Sequence, residues 1–338
     1  MIVDEGKVRL EIIRGFEAGP GSISPGFYNR DMETSRDLTV AILRMLKPGL
    51  ALDSMAGTGA RGLRVAAETG WKVTLNDICK TNYELAKRNA RLNDLDLEIW
   101  NLNYFTAVAA RKWDYIDIDP YGTPIGFIDA SLMNLRNNGI IGITMTDTAN
   151  LEGKSIKKGR RLYGGLSQRG IYSREISTRI FIKSLLERGA ALGLAGKPLI
   201  SVREKHYIRA FIQFGKGSKV SDAILAKIEK REIGSKEAGP MYTGNLYDPA
   251  TLEKISSEGL SANTVKLMNN FRNEDLMFLF FTNENGSSEP KLMDLIESIK
   301  KEGFKAGRTN FYEKGIKSDV SEEIFQDILK RVQNNFTL

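Results

Sequence analysis

The stretch LALDSMAGTGARGLRVAAETG, residues Leu50–Gly70, joins a short apolar run to a helix-forming segment through a glycine-rich turn. Gly57, Gly59 and Gly62 follow the spacing G-x-G-x-x-G, which lets the backbone pass close to a nucleotide-like ligand at a helix N-terminus. Asp77 ends the next apolar run, KVTLND, where a carboxylate can hydrogen-bond two ribose hydroxyls. These spacings predict a strand, a turn, a helix and a second strand that together bind a nucleoside.

Strand and helix patterns alternate beyond this unit. Further apolar runs follow at LEIWNLN, DYIDIDP and GIIGITMTD, and segments with helical spacing separate them. Two adjacent β-rich runs, KPLISVREK and YIRAFIQFG, predict a hairpin that closes the sheet with an antiparallel edge. The sequence therefore predicts an α/β fold with a Rossmann-like, mainly parallel sheet and an antiparallel edge strand.

A domain boundary is predicted near GKGSKVSD, residues Gly215–Asp222, where small and polar residues interrupt the pattern. Residues 1–218 then form the ligand-binding domain with an N-terminal extension, and residues 219–338 form a smaller C-terminal α/β domain. The later segments LMFLFFTNENG, KLMDLIESIKKEG and VSEEIFQDILKRVQ belong to this second domain.

The composition excludes several classes of protein. Cys79 is the single cysteine, so an internal disulfide and a cysteine zinc site are both excluded, and no metal site is expected. His206 is the single histidine, and the chain has no G-x-S-x-G motif, which argues against a serine hydrolase. The apolar runs are far shorter than the roughly 18 residues that indicate a membrane span. Without a visible secretory signal, we expect a cytoplasmic protein that does not bind membranes.

Positive charge is concentrated in one segment. The chain has 49 Lys and Arg against 42 Asp and Glu, a net charge of +7 that favours a polyanionic partner. A basic loop is predicted after GIIGITMTD, followed by a helix over Ser173–Gly189. Such a run is typical of a solvated face, and it is also typical of a phosphate-binding surface. The candidate phosphate ligands are Lys154, Lys157, Lys158, Arg160 and Arg161.

The aspartate ahead of the glycine turn helps to identify the ligand. Asp53 precedes Gly57 by four residues, where its negative charge attracts an ammonium or a sulfonium group and repels a pyrophosphate. A methyl donor of the S-adenosylmethionine type fits this arrangement. A nicotinamide-dependent dehydrogenase explains the glycines but not the aspartate.

The stretch DYIDIDPYGTP, Asp114–Pro124, ends a predicted strand at the edge of the sheet where open α/β folds bind ligands. Asp119 can accept a hydrogen bond from an exocyclic amine and take up its proton, and the Pro120 carbonyl can accept the second N–H. Tyr121 can stack on the base. The same residues would also suit an ordinary Pro-Tyr-Gly turn with a solvated aspartate.

Together these motifs resemble one family. DSMAGTGARGLR and DIDPYGTP, with FYNRDMETSRDLTV upstream, are similar to the tRNA guanosine-26 N2-dimethyltransferases, which are class I S-adenosylmethionine-dependent enzymes. RRLYGG, HYIRAFIQF, AGPMYTGNLYD and AGRTNFYEKGIKSD extend the similarity over most of the chain. The resemblance implies a class I methyltransferase fold, S-adenosyl-L-methionine as cofactor, and a guanine exocyclic amine in tRNA as substrate.

The resemblance also implies roles for single residues in donor binding. Arg36 and Arg61 match the family's cofactor-binding arginines, and Asp77 matches its ribose ligand. Asn103 and Tyr104 stand where the family usually has an Asp and a small residue that contact the adenine, and an amide oxygen can replace a carboxylate as acceptor. The implied donor ligands are Arg36, Asp53, Gly57, Gly59, Arg61, Asp77, Asn103, Tyr104 and Asp119.

For the target base, the resemblance implies that Asp119, Pro120 and Tyr121 form the catalytic motif with Gly122, and that Phe27 flanks the base opposite Tyr121. Phe27 also suits an ordinary core position. Many relatives carry a four-cysteine zinc site in the C-terminal domain, but residues Lys216–Pro240 contain no cysteine. We therefore expect a protein that folds without zinc. The sequence does not determine the oligomeric state, for which a monomer is favoured.

Other functions remain open from the sequence. A methyltransferase for another amine, such as adenine N6 or a protein glutamine, would need the same clamp around Asp119. A tRNA-binding protein without catalytic activity would use only the basic segment, and the presence of Asp119 argues against it.

Overall fold

The computed structural model of the chain describes residues 1–13, 26, 28–233, 235–282 and 291–335. Alternating strands and helices occupy the first two thirds of the chain, in the order that the sequence predicts. Their bounds are β1 Ile2–Glu5, β2 Val8–Glu11, α1 Glu33–Arg44, β3 Leu50–Asp53, α2 Ala60–Thr69, β4 Lys72–Asn76, α3 Lys80–Leu92, β5 Glu98–Trp100, α4 Tyr104–Ala109, β6 Trp113–Ile118, α5 Ile128–Asn134, β7 Leu135–Met145, α6 Ile156–Tyr163, α7 Ser173–Ala191, β8 Leu194–Glu204 and β9 Tyr207–Lys216.

Shorter elements make up the remainder. They are α8 Ser218–Leu225, β10 Ile228–Ile233, β11 Lys236–Tyr242, α9 Pro249–Lys254, α10 Ala262–Met268, α11 Leu292–Lys301, β12 Ala306–Arg308, β13 Ile316–Ser318 and α12 Glu322–Asn335. β10 pairs with β11 and β12 pairs with β13, each in antiparallel register. None of the helices in the described part of the chain has the length and apolar character needed to span a membrane.

Seven strands form the central sheet, in the order β5-β4-β3-β6-β7-β9-β8. The five strands from β5 to β7 are parallel, and β9 runs antiparallel to both of its neighbours. The predicted α/β fold is therefore confirmed, with one refinement. The antiparallel strand lies one position inside the edge, because the second strand of the hairpin inserts beside β7 and leaves β8 outermost.

The sheet is buried on both faces. Leu52, Ile116 and Ile143 have no exposed surface, as expected for parallel strands covered by helices. Gly59 and Gly70 bound α2 with left-handed backbone angles, φ 82° and 74°, which a side chain would disfavour. The carboxyl ends of β3, β4 and β6 consequently meet at one edge beside the first turn of α2.

The basic segment predicted as a loop instead contains a helix. A π-turn at Asn150–Lys154 leads into α6, and Gly164 ends this helix with φ 66°. The helix has only eight residues and contains Gly159, and glycine is a poor helix former, which is why the sequence favoured a loop there. The predicted helix at Ser173–Gly189 is confirmed as α7.

The C-terminal elements pack onto the seven-stranded sheet and its helices. The main hydrophobic core includes Tyr247 and Phe271 together with Phe181 of α7, and a second cluster lies between α11, α12 and β13. β9 ends and α8 begins inside the segment predicted as a boundary. The domain limits 1–218 and 219–338 stay a prediction.

Candidate active site

Four aspartates meet at the carboxyl edge of the sheet. Asp53 ends β3 at the register of Asp117 in β6, and Asp119 follows two residues later. Asp77 follows directly after β4, the other neighbour of β3. A parallel sheet binds ligands in the crevice beyond such strand ends. The structure thus brings the predicted donor and base motifs together.

The glycine turn is built around two of these carboxylates. The Gly57 amide donates to Asp77 Oδ2 at 2.8 Å, and the Cys79 amide donates to Asp77 Oδ1 at 2.8 Å. The Gly62 amide donates to Asp53 Oδ2 at 3.0 Å. Gly57 has φ 56°, which also lies in the left-handed region. These contacts fix a backbone cradle open to a ligand between β3 and β4.

Asp53 is held in an unusual electrostatic environment. Burial, and to a smaller extent the negative charges of Asp117 and Asp119, raise its pKa to about 7 against the opposing effect of Arg61. A nearby positive ligand would favour the ionised form of Asp53. Binding of a cation at this site would therefore favour loss of the proton from Asp53.

Arg61 of α2 holds the predicted catalytic carboxylate. Its Nη2 donates to Asp119 Oδ2, and its Nε lies 3.2 Å from Asp117 Oδ1. Nη1 donates to Thr39 Oγ1 at 2.9 Å and to the Ser35 carbonyl at 3.2 Å. The structure places this guanidinium, buried among protein partners, as a support for Asp119. Its predicted contact with the donor carboxylate stays a prediction.

Arg209 supports the same network from β9. It donates to Asp117 through both Nη atoms, with Nη1 at 3.1 Å from Oδ1, and it has no exposed surface. Tyr115 donates its hydroxyl to the same carboxylate. The sequence analysis missed Arg209. The signal was available, because a buried aspartate within an apolar strand needs a cation and YIRAFIQFG offers one in an equally apolar strand.

Arg36 pairs with a residue of the N-terminal extension. Its Nε donates to Glu5 Oε1 at 2.6 Å and its Nη2 to Oε2 at 2.5 Å. Burial alone would raise the pKa of Glu5, but the Arg36 guanidinium outweighs it and lowers the value to about 2. Tyr28 also stacks its ring 5.0 Å from this guanidinium. Arg36 therefore anchors β1 to α1, and its predicted role in donor binding stays a prediction.

The catalytic turn presents an aromatic ring to solvent. The Tyr121 side chain is 53% exposed, directly after Asp119 and Pro120. Its partial burial raises its pKa, and the charges of Asp77 and Asp119 add to the effect, so the ring lies near both carboxylates. Phe27, predicted to face it across the base, lies outside the described residues.

The two predicted adenine contacts have structural roles in α4. Asn103 caps this helix, because its Oδ1 accepts from the Phe105 amide at 2.9 Å. Tyr104 is buried, and its hydroxyl donates to the Phe127 carbonyl at 2.8 Å. The ring of Tyr104 thus packs between helices instead of facing the crevice. Their contacts with adenine stay predictions.

The charges at this edge indicate which ligand the crevice suits. Among the described residues, the buried guanidiniums of Arg61 and Arg209 form ion pairs with Asp117 and Asp119, and two further carboxylates, those of Asp53 and Asp77, lie beside them. This excess of negative charge suits a cationic nucleoside such as S-adenosylmethionine and would repel the pyrophosphate of a dinucleotide.

Comparison with known proteins agrees with this geometry. A sequence model of the family described as N2,N2-dimethylguanosine tRNA methyltransferase matches residues 20–236. The chain belongs to this family. The tRNA (guanine(26)-N(2))-dimethyltransferase of Thermoplasma volcanium is 33% identical over 98% of both chains, and that of Thermoplasma acidophilum is 31% identical over 97% of both. The structure of Trm1 from Pyrococcus horikoshii with S-adenosyl-L-methionine is 29% identical, with a TM-score of 0.85 over 97% of this chain and 99% of that chain.

Membership of the N2,N2-dimethylguanosine tRNA methyltransferase family confirms the resemblance read from the motifs. The structure also shows three exposed apolar side chains near this site that the sequence analysis missed. Ile78 and Leu102 are exposed shortly after β4 and β5, and Phe105 is exposed in the first turn of α4. Ile78 directly follows Asp77, so exposed apolar surface adjoins this carboxylate.

Four of the five basic residues lie on α6 and Lys154 ends the π-turn before it, beside the turn that follows β6. Lys154, Lys157, Arg160 and Arg161 are exposed, in agreement with a surface for a polyanion. Lys158 is half-buried and forms an ion pair with Asp147 at 3.0 Å. It therefore faces the protein, unlike the other predicted phosphate ligands.

Proposed function

We propose that this chain methylates the exocyclic N2 amine of the guanosine at position 26 of tRNA, first to the monomethyl and then to the dimethyl form, with S-adenosyl-L-methionine as donor. One observation carries the proposal. Asp119 follows β6 beside the glycine turn, held by Arg61, with the exposed Tyr121 ring near it. A carboxylate and an aromatic ring are thus close to the place where a methyl donor would bind.

The chain supplies specific contacts for the donor. Asp77 would bind the ribose hydroxyls, Asp53 would attract the positive charge, and Ile78 would cover the adenine. Gly57 and Gly59 let the backbone approach closely. When bound, S-adenosylmethionine provides an electrophilic methyl group on a sulfonium.

The reaction needs a nitrogen lone pair aimed at that methyl group. Asp119 accepts a hydrogen bond from one N–H of the amine, and the Pro120 carbonyl accepts the other. As the new N–C bond forms and the S–C bond breaks, the proton of the amine passes to Asp119 and then to solvent. Arg61 contacts Asp119 Oδ2, which orients Oδ1 toward the amine.

The target base must leave its stack to reach this pocket. Flipping a base costs roughly a few kcal/mol. Stacking of the flipped base between Tyr121 and Phe27 would offset that cost. The exposed cations Lys157, Arg160 and Arg161 on α6, and Lys154 in the turn before it, would bind the phosphates of the tRNA backbone. We further propose that the protein is cytoplasmic, is a monomer and folds without zinc.

The test is a methylation assay with labelled S-adenosylmethionine and unmodified tRNA, followed by digestion and separation of nucleosides by mass. We expect monomethylguanosine first and dimethylguanosine later, and no product when position 26 carries adenosine. Label in a different nucleoside would redirect the proposal to another base amine, and label only in added protein would contradict a tRNA substrate.

The variant Asp119→Asn tests the assigned base. We expect its methylation rate to fall by about 100-fold or more, because a carboxamide cannot take up the proton. Donor affinity, measured by titration calorimetry, should change by less than about twofold. Asp129→Asn is the matched control, since Asp129 is an exposed aspartate on α5. An equal loss of donor affinity in Asp119→Asn would contradict the role given to Asp119.

A further inference from the structure

The catalytic turn, residues 119–124, is held on one side by the end of β7. The Gly122 amide donates to Thr146 Oγ1 at 2.8 Å. The Gly122 carbonyl accepts from the amides of Thr146 at 3.0 Å and Asp147 at 3.2 Å. Gly122 has φ 79°, so this fixed point also needs the freedom of glycine. The position of Tyr121 therefore depends on the segment that follows β7.

On its other side the turn contacts α6. Tyr163, the last residue of that helix, donates its hydroxyl to Thr123 Oγ1 at 2.8 Å. The Tyr163 ring is 1% exposed and packs edge-on against Phe181 of α7. Lys183 of α7 donates to the Gly164 carbonyl at 3.2 Å, which fixes the end of α6. A buried hydroxyl with a fixed ring is a rigid connection to the turn.

A second contact joins the same two parts. Lys158 of α6 lies 3.0 Å from Asp147 Oδ2, and Asp147 is the residue whose amide binds the Gly122 carbonyl. Asn150 also donates to Asp147. Two residues of one short helix thus reach the catalytic turn, one directly and one through the end of β7.

The opposite face of α6 carries the exposed cations. Lys157, Arg160 and Arg161 follow the i, i+3, i+4 spacing that places side chains on one face of a helix. Tyr163 and the backbone of Gly159 are buried against the protein. The helix therefore has a basic outer face and an inner face bonded to the turn.

We infer that α6 couples nucleic-acid binding to catalysis: phosphates bound on its outer face fix the helix, and Tyr163 and Lys158 thereby fix the catalytic turn that carries Asp119 and Tyr121. This inference rests on the proposed function, because it assigns tRNA to the outer face. Tyr163 and Lys158 are positioning residues, which act on the turn and not on the substrate.

The inference separates two kinetic effects. Removing the Tyr163 hydroxyl by Tyr163→Phe should lower kcat about 5- to 10-fold and leave KM for tRNA unchanged, because the turn is no longer held in its productive position. Lys157→Gln should instead raise KM for tRNA and reduce the salt slope of binding by about one, and its loss of kcat should be smaller than that of Tyr163→Phe, because Arg160 and Arg161 still bind phosphates on the outer face of α6.

The ion pair between Lys158 and Asp147 allows a second, independent test of the coupling. Lys158→Asp and Asp147→Lys should each lower kcat, and the double exchange should restore a large part of it, since the two charges again attract each other. Failure of the exchange to restore kcat, together with an unchanged kcat in Tyr163→Phe, would overturn the coupling.

Hydrogen exchange of the turn amides separates this inference from the proposed function. In Tyr163→Phe we expect about fivefold faster exchange in peptides that cover residues 119–124, whether or not tRNA is the substrate. Tyr247→Phe is the matched control, because Tyr247 is an equally buried tyrosine in the C-terminal region. Unchanged exchange in Tyr163→Phe would refute the coupling, whereas an absence of guanosine methylation by the wild-type chain would refute only the proposed function.

Discussion

The protonation state of the buried Asp53 carboxylate depends on the charge of the ligand that binds beside it. Burial raises its pKa to about 7, and Asp117 and Asp119 contribute to the same direction. At a pH below this value Asp53 is protonated and cannot attract a sulfonium. The proton must leave when a cationic donor binds, so donor binding is linked to pH.

We therefore predict that the affinity for S-adenosylmethionine rises as the pH increases from about 5.5 to about 7 and levels off above that range. The sign follows because the raised pKa leaves the free site protonated at low pH, and the cation binds better to the ionised form. Titration calorimetry in buffers of different ionisation enthalpy would show the proton released on binding.

The variant Asp53→Asn provides the control for this prediction. Above about pH 7 its donor affinity should be weaker than that of the wild type. This affinity should also be nearly independent of pH. S-adenosylhomocysteine, which lacks the sulfonium charge, should show a smaller pH dependence in the wild type. A wild-type affinity that is flat across this range would contradict the assigned role of Asp53.

At this scale the sequence predicted some residues and not others. Asp53, Asp77 and Asp119 could be predicted because their places at strand ends follow from local spacing. Arg209 was harder to predict: a cation in an apolar strand was a signal, but its partner Asp117 lies 92 residues earlier, and only the insertion of β9 beside β7 brings the two together. The sequence also gave no indication that Glu5 would pair with Arg36, since the N-terminal hairpin carries no motif.

Among the elements, the turn between β3 and α2 depends most strongly on backbone conformation. Gly59 has φ 82°, and a Cβ there would lie 3.2 Å from Leu63 Cδ1 and 3.3 Å from Leu75 Cδ1. We predict that Gly59→Ala costs about 1–2 kcal/mol of stability from the left-handed conformation. It should also weaken donor binding, because the backbone of the glycine turn must move to relieve the contacts of the new Cβ with Leu63 and Leu75.

Gly193 supplies a control for the conformational cost. It has φ 72°, is exposed in the connection between α7 and β8, and a Cβ there would meet nothing within 4 Å. Gly193→Ala should lose a similar stability in urea unfolding and keep the donor affinity of the wild type. Equal donor affinity in both variants would show that the shape of the turn does not determine binding.

The elements with long, regular patterns were predictable, and α6 was not. β7 and α7 have buried apolar runs long enough to identify them from sequence. α6 is short and basic, and tertiary contacts through Tyr163 and Gly159 fix it in place. Its importance for the site therefore became visible only when the catalytic turn and the helix were seen in contact.

In the whole molecule, buried polar contacts join the C-terminal region to the catalytic sheet domain. Asp37 of α1 accepts hydrogen bonds from the Ser261 amide at 3.0 Å and from Thr264 Oγ1 at 2.7 Å, at the start of α10. Lys317 of β13 forms an ion pair with Glu175 of α7 at 2.8 Å, and both side chains have no exposed surface. These partners are far apart in sequence, so no local pattern predicts them.

The last prediction concerns this buried pair. Lys317→Met should destabilise the protein by about 1.5–3 kcal/mol, because Glu175 loses one of its two buried cationic partners and keeps only its pair with Arg179. Lys230→Met is the control: its pair with Glu237 is more than half exposed, and its loss should cost less than about 1 kcal/mol. Urea unfolding followed by circular dichroism measures both.

Tryptophan fluorescence then shows how far the effect extends. Trp71, Trp100 and Trp113 all lie in or beside the central sheet, whereas Lys317 lies in the C-terminal region. Because one hydrophobic core continues from Val8 to Phe311, we expect the fluorescence and dichroism transitions of Lys317→Met to shift together. A fluorescence midpoint that stays at the wild-type value while dichroism shifts would show instead that the C-terminal region unfolds as an independent domain.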